Sequence, residues 1–562
     1  MKRWISLILS AVLLLTLAAC GGAGTADPDA GLAGAEEYRG ELPFVKHGEE
    51  PITITIGINT NGNVTDYENN EFTNWLEEQT GLKLDFVQFS GKAAENATQV
   101  ALMMASGEKL PDILHPGGIT KRQADEYGQD GYFIDLKPYF EKYGYYFNKA
   151  FEDRYAGDTT LRDRLLLCAS APGGGKLYNF PTLDDIPGDT AVCHGWINQV
   201  WLDRLGLEMP RTLSQLHDVL VAFRDRDPNG NGKKDEIPMI GVAENGHADV
   251  TRYIVNAFVY WNPKYHFNVD EAGKLWSPYT TDEYRQALIY MSDLVKEGLL
   301  STLTWTQTSS ENKGLFNPAE DGDELCGVIG GHPSLVLNAG ARTLFDYEPL
   351  PPFKAETKLG GYGARNAPVL YYTIYVTSDC AHPVEAFKLL DFMCSDEASI
   401  RAKYGTPGVN WEYLNDGSRT ETGGFLVRLL GDSVWNTQNN VNWHNPWIID
   451  KTGYFQFEQS EQAWENTREE KNEKNLANYL EAGQPEKLFT DVAYSKEEDE
   501  RLTEIKKELT DYLKDRRAQF CTGTLDPRDD AQWQTYLDGL EALHFSEWLE
   551  ISQAAYDRMP KN

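Results

Sequence analysis

The stretch "PITITIGIN", residues Pro51 to Asn59, predicts a β-strand with one buried face. Isoleucine recurs at every second position, namely at Ile52, Ile54, Ile56 and Ile58. Alternate residues of a strand point to the same face of a sheet, so an apolar period of two indicates a strand that covers a core. This strand opens the region that decides the fold.

Helices and strands alternate downstream of this strand. A polar loop follows Asn59, and a helix is predicted around Phe72. "LKLDFVQF" then predicts a second strand, Ala93 to Gly107 a second helix, and "LPDILHPGG" a short third strand that runs into glycines. This alternation is typical of a parallel α/β sheet, in which ligands bind beyond the carboxyl ends of the strands. The loops that start at Asn59 and His115 are therefore candidates for ligand contact.

A second α/β unit is predicted to begin near Pro181. "AVCHGWINQVWLDRLGL" predicts a strand that leads into a helix, and "RTLSQLHDVLVAFRDRD" predicts a helix capped by Thr212. "ELCGVIGGHPSLV" predicts a strand that breaks at two glycines. The charged tail from Ser495 to Asn562 is predicted to be helical because apolar residues recur at helical spacing. That stripe consists of Leu502, Ile505, Leu509 and Leu513.

The first 20 residues, "MKRWISLILSAVLLLTLAAC", predict an export signal. Two basic residues precede an apolar run with the length and flanks of a signal peptide. Its end resembles the bacterial lipoprotein lipobox, which implies cleavage after residue 19 and a lipid on the thiol of Cys20. A plain secretory signal with a chance cysteine is the alternative. We expect residues 1–19 to be the signal peptide and residues 20–50 to be the lipidated cysteine and a flexible tether.

The composition excludes several classes of partner. The 562 residues include 52 Lys and Arg against 86 Asp and Glu, which gives a net charge of −34. Such acidity argues against nucleic acid and against an anionic membrane surface as partners. No segment after the signal reaches the ~18 consecutive apolar residues of a transmembrane helix. Contact with the membrane is therefore expected only through the lipid.

Six cysteines follow the lipobox. Their spacing is irregular, and a chain of this length can bury a full core without crosslinks, so buried free thiols are favoured over disulfides. The sequence contains no CxxC pair, so a zinc site is not expected. The six are Cys168, Cys193, Cys326, Cys380, Cys394 and Cys521.

The chain resembles the extracellular solute-binding proteins (family 1) of ABC importers, which include the maltose- and alginate-binding proteins. It is most similar to the lipoprotein type common in Gram-positive bacteria. The resemblance is carried by "ITITIGIN", "NWLEEQTGLKLDF", "LPDIL", "GKLYNFP", "VKEGLL", "GVIGG", "HPVEAFKLLDFMCSDEA", "YGTPGVNWEY", "FCTGTLDP" and "QAAYDR". The most specific block is "WLDRLGLEMPRTLSQLHDVLVAFRDRDPNGNGKKDEIP". The match extends from about Pro51 to Arg558.

The resemblance implies an α/β, two-lobe, periplasmic-binding-protein-like (Venus-flytrap) fold with a hinge between the lobes. In this family the chain crosses between the lobes more than once. We expect crossings near Pro181, near Pro349–Pro352 and near Tyr404. The N-terminal lobe would then comprise 51–180 and 350–404, and the C-terminal lobe would comprise 181–349 and 405–562.

"DPNGNGKKDEIP", residues Asp227 to Pro238, matches the start of an EF-hand loop. Oxygen-bearing residues stand two apart, a glycine takes the turn position, and calcium prefers 6 to 8 oxygen ligands. The last EF-hand position holds Pro238 instead of glutamate, and the alginate-binding relatives use a loop of this type. A turn without metal is the alternative. We expect a structural Ca²⁺ held by Asp227, Asn229, Asn231, the backbone carbonyl of Lys233, Asp235 and Glu236.

Sugars are recognised by aromatic faces together with amide, imidazole and carboxylate hydrogen bonds. The candidates follow predicted strands, lie in polar loops, or are tryptophans in stretches without clear periodicity, where we expect exposed rings. Trp196 lies within a predicted strand, so a place in the core is its alternative. The predicted ligand contacts are Asn59, Asn61, His115, Trp196, Trp261, Trp305, His332, Trp443 and Trp447.

No enzyme motif is present: HExxH, GxSxG and GxxxxGK[ST] are all absent from the sequence. The missing phosphate loop also means that the ATPase and permease must be separate chains. The sequence therefore predicts a monomeric binding protein, lipid-anchored on the outer face of the cytoplasmic membrane, that delivers an oligosaccharide to an ABC permease. Peptides or other polar solutes as ligands, or a sensor as the receiver, are the alternatives.

Overall fold

The computed structural model describes residues 38–559 with internal gaps. The gaps are 61–63, 91, 155–158, 173–174, 186–194, 244–247, 263, 309–310, 312–322, 332–342, 364–368, 419–424, 431–447, 451–454 and 458–463. The predicted signal peptide, Cys20, Asn61, His332, Trp443 and Trp447 lie outside the described residues. Within them, no helix is long and apolar enough to cross a membrane.

The described helices are α1 (Glu71–Thr80), α2 (Ala93–Ser106), α3 (Lys121–Gln129), α4 (Lys137–Tyr143), α5 (Tyr145–Arg154), α6 (Thr159–Ala169), α7 (Gln199–Leu205), α8 (Leu213–Asp225), α9 (Val250–Phe258), α10 (Asp282–Lys296), α11 (Thr343–Asp346), α12 (Pro383–Phe392), α13 (Asp396–Tyr404), α14 (Trp464–Ala482), α15 (Lys496–Cys521), α16 (Asp530–Ala542) and α17 (Phe545–Arg558). Two short 3-10 helices are Pro278–Thr280 and Thr302–Trp305. The strands are β1 (Thr53–Asn59), β2 (Lys83–Phe89), β3 (Ile113–His115), β4 (Phe180–Asp185), β5 (Gly195–Asn198), β6 (Ile237–Ile240), β7 (Asn268–Val269), β8 (Leu275–Trp276), β9 (Cys326–Gly330), β10 (Tyr347–Pro349), β11 (Val369–Val376), β12 (Trp411–Tyr413), β13 (Phe425–Leu429), β14 (Ile448–Asp450) and β15 (Phe455–Phe457).

The first lobe is built on a six-stranded sheet in the order β14-β4-β11-β3-β1-β2. Strands β1, β2 and β3 are parallel, as the sequence predicts, whereas β11 runs antiparallel to β3. The side chains of Ile54, Ile56 and Ile58 are at most 4% exposed. Burial of each such side chain contributes roughly 1.5–3 kcal/mol to folding. These isoleucines are therefore a main part of the first core, which is the buried apolar cluster of the first lobe.

The second lobe is built on a four-stranded sheet in the order β10-β5-β9-β6. Strands β6 and β9 are parallel, and β5 is antiparallel to β9. The helical tail packs onto this lobe through the predicted stripe, in which Leu502, Ile505, Leu509 and Leu513 are all buried in the second core. The fold is therefore the predicted two-lobe α/β fold.

Three neighbouring strands of the first sheet, β14, β4 and β11, carry the connections to the second lobe. The first connection lies between Asp185 and Gly195. The second lies after Gly363, since Leu350 and Phe353 belong to the second core and the Gly363 N–H donates to the Gly483 carbonyl. Strand β14 pairs with β4 in the first sheet, so Ile448–Asp450 belong to the first lobe. These placements differ from the boundaries predicted at residues 350 and 405.

Residues 38–45, predicted to be part of the tether, are docked on the first lobe. The ring of Tyr38 is 9% exposed, and the Lys388 ammonium lies 4.7 Å from its centroid. The N–H groups of Phe44 and Val45 both donate to the Thr80 carbonyl at the end of α1. The docked segment buries aromatic surface, which composition alone did not indicate.

The described cysteines are free and buried, as predicted. These are Cys168, Cys326, Cys380, Cys394 and Cys521. Burial raises the pKa of the Cys168 thiol to about 12, so this group stays protonated and unreactive at neutral pH. Cys193 lies outside the described residues.

Candidate functional site

The loop that starts at Asp227 is wound around that residue's carboxylate. Asp227 adopts a left-handed backbone conformation, with φ of 49°. Its Oδ1 accepts the N–H groups of Gly230 and Asn231 at 3.0 and 3.1 Å, and its Oδ2 accepts the Gly232 N–H at 3.0 Å. The side chain that EF-hand spacing places first therefore organises the turn.

Two amide side chains and a second carboxylate fill the interior of the loop. Asn229 Nδ2 and Asn231 Nδ2 each donate to Asp235 Oδ1 at 3.2 Å. The Oδ1 atoms of the two asparagines accept the N–H groups of Asn231 and Lys233, respectively. Side-chain oxygens and nitrogens of four loop residues thus converge on a small volume.

Glu236 supplies the observation that favours a cation. Its Oε1 is buried and has no hydrogen-bond partner. Burial raises the pKa of Glu236, and the neighbouring charges of Asp227 and Asp235 raise it further. An unpaired buried carboxylate oxygen beside two other carboxylates is costly without a compensating charge.

The loop therefore offers the types of ligand that a divalent cation with a preference for oxygen would need. The loop offers three carboxylates, two amide oxygens and the Lys233 carbonyl. No group of three or more histidine, cysteine or acidic side chains forms a ready metal site in the part of the chain that the structure describes. The mixture of ligand types matches calcium chemistry and does not suit zinc.

The loop lies at the amino end of β6, because Ile237 begins that strand directly after Glu236. Ligands of α/β sheets bind at the opposite, carboxyl end. The four residues of β6 span ~13 Å. A cation in the loop would therefore brace the lobe without touching a ligand at the carboxyl end.

At the carboxyl end of the first sheet, a polar network joins the loops after β1, β2 and β3. Asn96 is fully buried, and its Nδ2 donates to Asn59 Oδ1 at 2.8 Å and to the Pro116 carbonyl at 2.6 Å. Ser90 donates to Asn96 Oδ1 at 2.9 Å. Half-buried His115 ends β3 in register with Ile58 of β1. The structure thus brings the predicted residues Asn59 and His115 to the carboxyl end of the first sheet, which is the first edge.

The carboxyl ends of β6 and β9 meet the start of α9 in the second lobe. A Cβ atom on Gly241 would lie 2.8 Å from the Ala248 carbonyl oxygen, and one on Gly330 would lie 2.6 Å from the same atom. Both positions need glycine because the backbone of Ala248 and Val250, at the start of α9, approaches so closely. This close packing holds the start of α9 against the carboxyl ends of β6 and β9, which form the second edge.

Trp305 lies at this second edge. The Ser301 N–H donates to the Met239 carbonyl, and the Ala243 N–H donates to the Thr304 carbonyl, so this segment follows β6 toward its carboxyl end. The Trp305 ring is half-buried, and its Nε1 is buried with no hydrogen-bond partner. Gln307, two residues on, has a buried Oε1 that also lacks a partner.

Two of the predicted tryptophans belong to the core. Trp196 is fully buried in the middle of the second sheet, where β9 and β10 flank it. Trp261 is 2% exposed, with the Arg517 guanidinium 4.8 Å from its ring and its Nε1 donating to the Tyr279 hydroxyl at 2.9 Å. The expectation of an exposed ring at Trp261 is wrong because tail helix α15 covers it.

Sequence reasoning missed Asn96 and Gln307. Asn96 lies within a helix, and its position gives no hint that it reaches β1. Gln307 lies in a polar stretch two residues after Trp305. Its closeness to that predicted ligand contact is the only sequence feature that could have indicated it.

Comparison with known proteins identifies the family. The family model described as bacterial extracellular solute-binding protein matches residues 61–400, which is more than half of the chain. This chain belongs to that family. Its members bind solutes for import and are not enzymes, as the missing catalytic motifs predict.

Individual relatives cover most of the chain. It is 25% identical to the fructooligosaccharide ABC transporter substrate-binding protein FusA of Streptococcus pneumoniae serotype 4, over 99% of this chain and 98% of FusA. It is 26% identical to lipoprotein LipO of Bacillus subtilis, over 81% of this chain and 84% of LipO. The alignment with FusA leaves almost no part of either chain unmatched.

Solved structures share the fold. FusA in complex with kestose superposes with a TM-score of 0.69 at 20% identity, over 90% of this chain and 99% of FusA. FusA has also been solved as an EF-hand mutant in complex with fructo-nystose. Alginate-binding protein AlgQ2 without calcium ion superposes with a TM-score of 0.61 at 22% identity, over 92% of this chain and 100% of AlgQ2.

Proposed function

We propose that this protein is a lipid-anchored extracellular receptor that captures an oligosaccharide between its two lobes and delivers it to an ABC permease on separate chains. The ligand class is supported mainly by the end-to-end match with FusA, a fructooligosaccharide-binding protein. Lipid attachment is supported by the lipobox-like end of the signal sequence and by the similarity to lipoprotein LipO.

The two strand-end edges supply groups suited to a sugar. Asn59 and His115 at the first edge can hydrogen-bond with hydroxyls. At the second edge, Trp305 offers an indole face and an unpaired N–H, and Gln307 offers an unpaired acceptor. A ligand hydroxyl both donates and accepts, so it could pair with either group once closure of the lobes or a side-chain rotation exposes these buried atoms. A polar group left buried and unpaired costs roughly 1–3 kcal/mol, which favours a ligand with hydroxyls over one without them.

In the same proposal, the loop from Asp227 to Glu236 holds a structural Ca²⁺. The support is the orphaned Glu236 Oε1, the convergence of carboxylates and amides, and the EF-hand spacing. When bound, calcium would supply the positive charge that three neighbouring carboxylates lack.

The ligand class is tested by a thermal-shift screen of the purified mature protein against fructooligosaccharides, acidic glycans, peptides and polyols, followed by calorimetry on hits. We expect at least one oligosaccharide to raise the melting temperature in a concentration-dependent way. Stabilisation by peptides, with no response to any glycan, would reject the carbohydrate assignment and leave only the solute-binding role.

The anchor is tested with Cys20→Ser in the full-length precursor. We expect the variant to appear in the soluble fraction or to remain uncleaved. Normal membrane retention of correctly cleaved Cys20→Ser protein would reject lipid attachment at this residue.

A further inference from the structure

We infer that Asn96 is a positioning residue for the sugar contact proposed at Asn59. It turns the Asn59 amide so that the N–H₂ group, and not the oxygen, is presented at the first edge. The inference rests on the proposed function and adds the group through which Asn59 meets the sugar. Asn96 itself is fully buried, so it acts through Asn59 and not on the sugar.

Asn96 places an amide at a core position of α2. It is the first buried residue of that helix and lies on the face that also buries Val100. A buried amide is stable only when its polar atoms are paired. Its Nδ2 donates to Asn59 Oδ1 at 2.8 Å and to the Pro116 carbonyl at 2.6 Å. Its Oδ1 accepts from the Ser90 hydroxyl at 2.9 Å, so both ends of the amide are paired.

The Pro116 carbonyl fixes the direction of both amides. A carbonyl can only accept a hydrogen bond, so the Asn96 atom that faces it must be the nitrogen. The second hydrogen of that nitrogen points to Asn59, and the Asn59 atom that receives it must be the oxygen. The Asn59 nitrogen is therefore the atom that points away from Asn96.

The Asn59 nitrogen lies beside Gly117, in the loop after β3. A Cβ atom on Gly117 would lie 4.0 Å from Asn59 Nδ2, so glycine leaves this side of the amide uncovered by a side chain. Within the described part of the chain, the only hydrogen bond of the half-buried Asn59 side chain is the one from Asn96. Its N–H₂ group is therefore available to a sugar oxygen at the carboxyl end of β1.

The backbone around this contact is already held in place. A Cβ atom on Gly118 would lie 1.9 Å from the Ala93 carbonyl oxygen, so the loop after β3 packs directly on the start of α2. The Thr60 N–H donates to the Phe89 carbonyl at 3.2 Å, which keeps the chain after β1 beside β2. What Asn96 adds is the rotation of one amide. Fixing that rotation before the sugar arrives lowers the entropic cost of binding.

The test is a double-mutant cycle in sugar affinity. Wild type, Asn96→Ala, Asn59→Ala and the double variant, all as full mature protein, are titrated by calorimetry with kestose, or with the oligosaccharide that gives the largest thermal shift if kestose gives none. We expect Asn96→Ala to weaken binding about 5-fold, as for the loss of one neutral hydrogen bond. In the Asn59→Ala protein it should have no further effect. The control Asn74→Ala, at an exposed asparagine of α1, should bind like wild type.

A role of Asn96 in loop structure alone would give the same loss of affinity with and without Asn59, and that result would overturn the inference. A wild type that binds no glycan would instead overturn the proposed function, and the sugar contact at Asn59 with it.

Thermal unfolding without sugar tests the direction of the amide even if Asn96→Ala fails to fold. Asn59→Asp keeps an oxygen that accepts from Asn96 in the first turn of α2, where negative charge is favoured. Asn59→Leu removes that oxygen. Asn59→Asp should therefore lower the melting temperature less than Asn59→Leu does, and an equal or larger decrease would overturn the assignment of the oxygen to the Asn96 side.

Discussion

At the scale of single residues, two tryptophans predicted to contact the ligand differ in their burial. Trp261 is enclosed by Arg517, Tyr279 and the rest of the second core. Trp305 keeps part of its ring exposed at the edge where β6 ends. The two rings should therefore respond differently to truncation.

We predict that Trp305→Ala weakens binding of the identified oligosaccharide by about 2 kcal/mol, as for a buried aromatic anchor, and costs less stability than Trp261→Ala because the Trp305 ring only packs against the edge of the second core. Trp261→Ala, the matched comparison, should destabilise the fold by about 3–5 kcal/mol because it empties a packed site. Calorimetry and denaturant unfolding measure the two effects. Equal unfolding of both variants would place Trp305 in the core instead of at the ligand edge.

Arg517 offers a second prediction at this scale. Its guanidinium is buried and lies 3.2 Å from Asp249 Oδ2, and that ion pair is under 10% exposed on both sides. Arg517→Met should cost about 3–5 kcal/mol of unfolding free energy because it strands a buried carboxylate. Arg516→Met, on the same helix but partly exposed, should cost less than about 1 kcal/mol. Similar losses of unfolding free energy in the two variants would show that the buried ion pair between Arg517 and Asp249 does not contribute more to stability than an exposed arginine does.

At the scale of elements, helix ends are tied to distant parts of the chain. The amino end of α5 is capped by Asp391 of α12, whose two oxygens accept the N–H groups of Tyr146 and Phe147 at 2.9 Å each. Burial raises the pKa of Asp391 from 3.8 to about 7, although those N–H donors lower it. One side chain thus joins two helices of the first core and titrates near neutral pH.

The sign of the resulting pH dependence follows from linkage. Because the folded pKa of Asp391 exceeds the unfolded value, the stability from its bound proton is present below about pH 4 and is lost as the pH rises through about 7. We predict that the melting temperature of wild type falls between about pH 4 and pH 7 and that Asp391→Asn flattens this decline. Glu397→Gln, an exposed carboxyl of α13, should keep the wild-type slope. Parallel pH profiles for wild type and Asp391→Asn would contradict the assignment.

At the scale of the whole molecule, the proposed cation site and the proposed ligand contacts of the second lobe lie at opposite ends of the second sheet. The loop proposed to hold calcium is at the amino end of β6, and Trp305 and Gln307 are at its carboxyl end. The connections between the lobes leave from neighbouring strands of the first sheet. The proposed cation site and the proposed ligand edge can therefore be tested separately.

We predict that a calcium chelator lowers the melting temperature and that the double variant Asp227→Ala, Asp235→Ala no longer responds to chelator. While the protein remains folded, chelation should change oligosaccharide affinity far less than Trp305→Ala does. Metal analysis that finds no calcium in the purified protein, together with an unchanged melting temperature, would contradict the site. A large loss of sugar affinity on chelation would show that the brace and the ligand edge are coupled.

The sequence by itself determined the α/β class, the first parallel strands, the tail stripe at Leu502 to Leu513 and the EF-hand-like spacing of the loop that begins at Asp227. Each of these depends on local spacing: a period of two, a helical period, or oxygens two residues apart. Only the tertiary structure decided that Trp261 is core, that Asn96 joins β1 to β3, and that the second connection follows Gly363. These outcomes depend on contacts between residues far apart in the chain, such as Arg517 over Trp261, and local spacing carries no information about them.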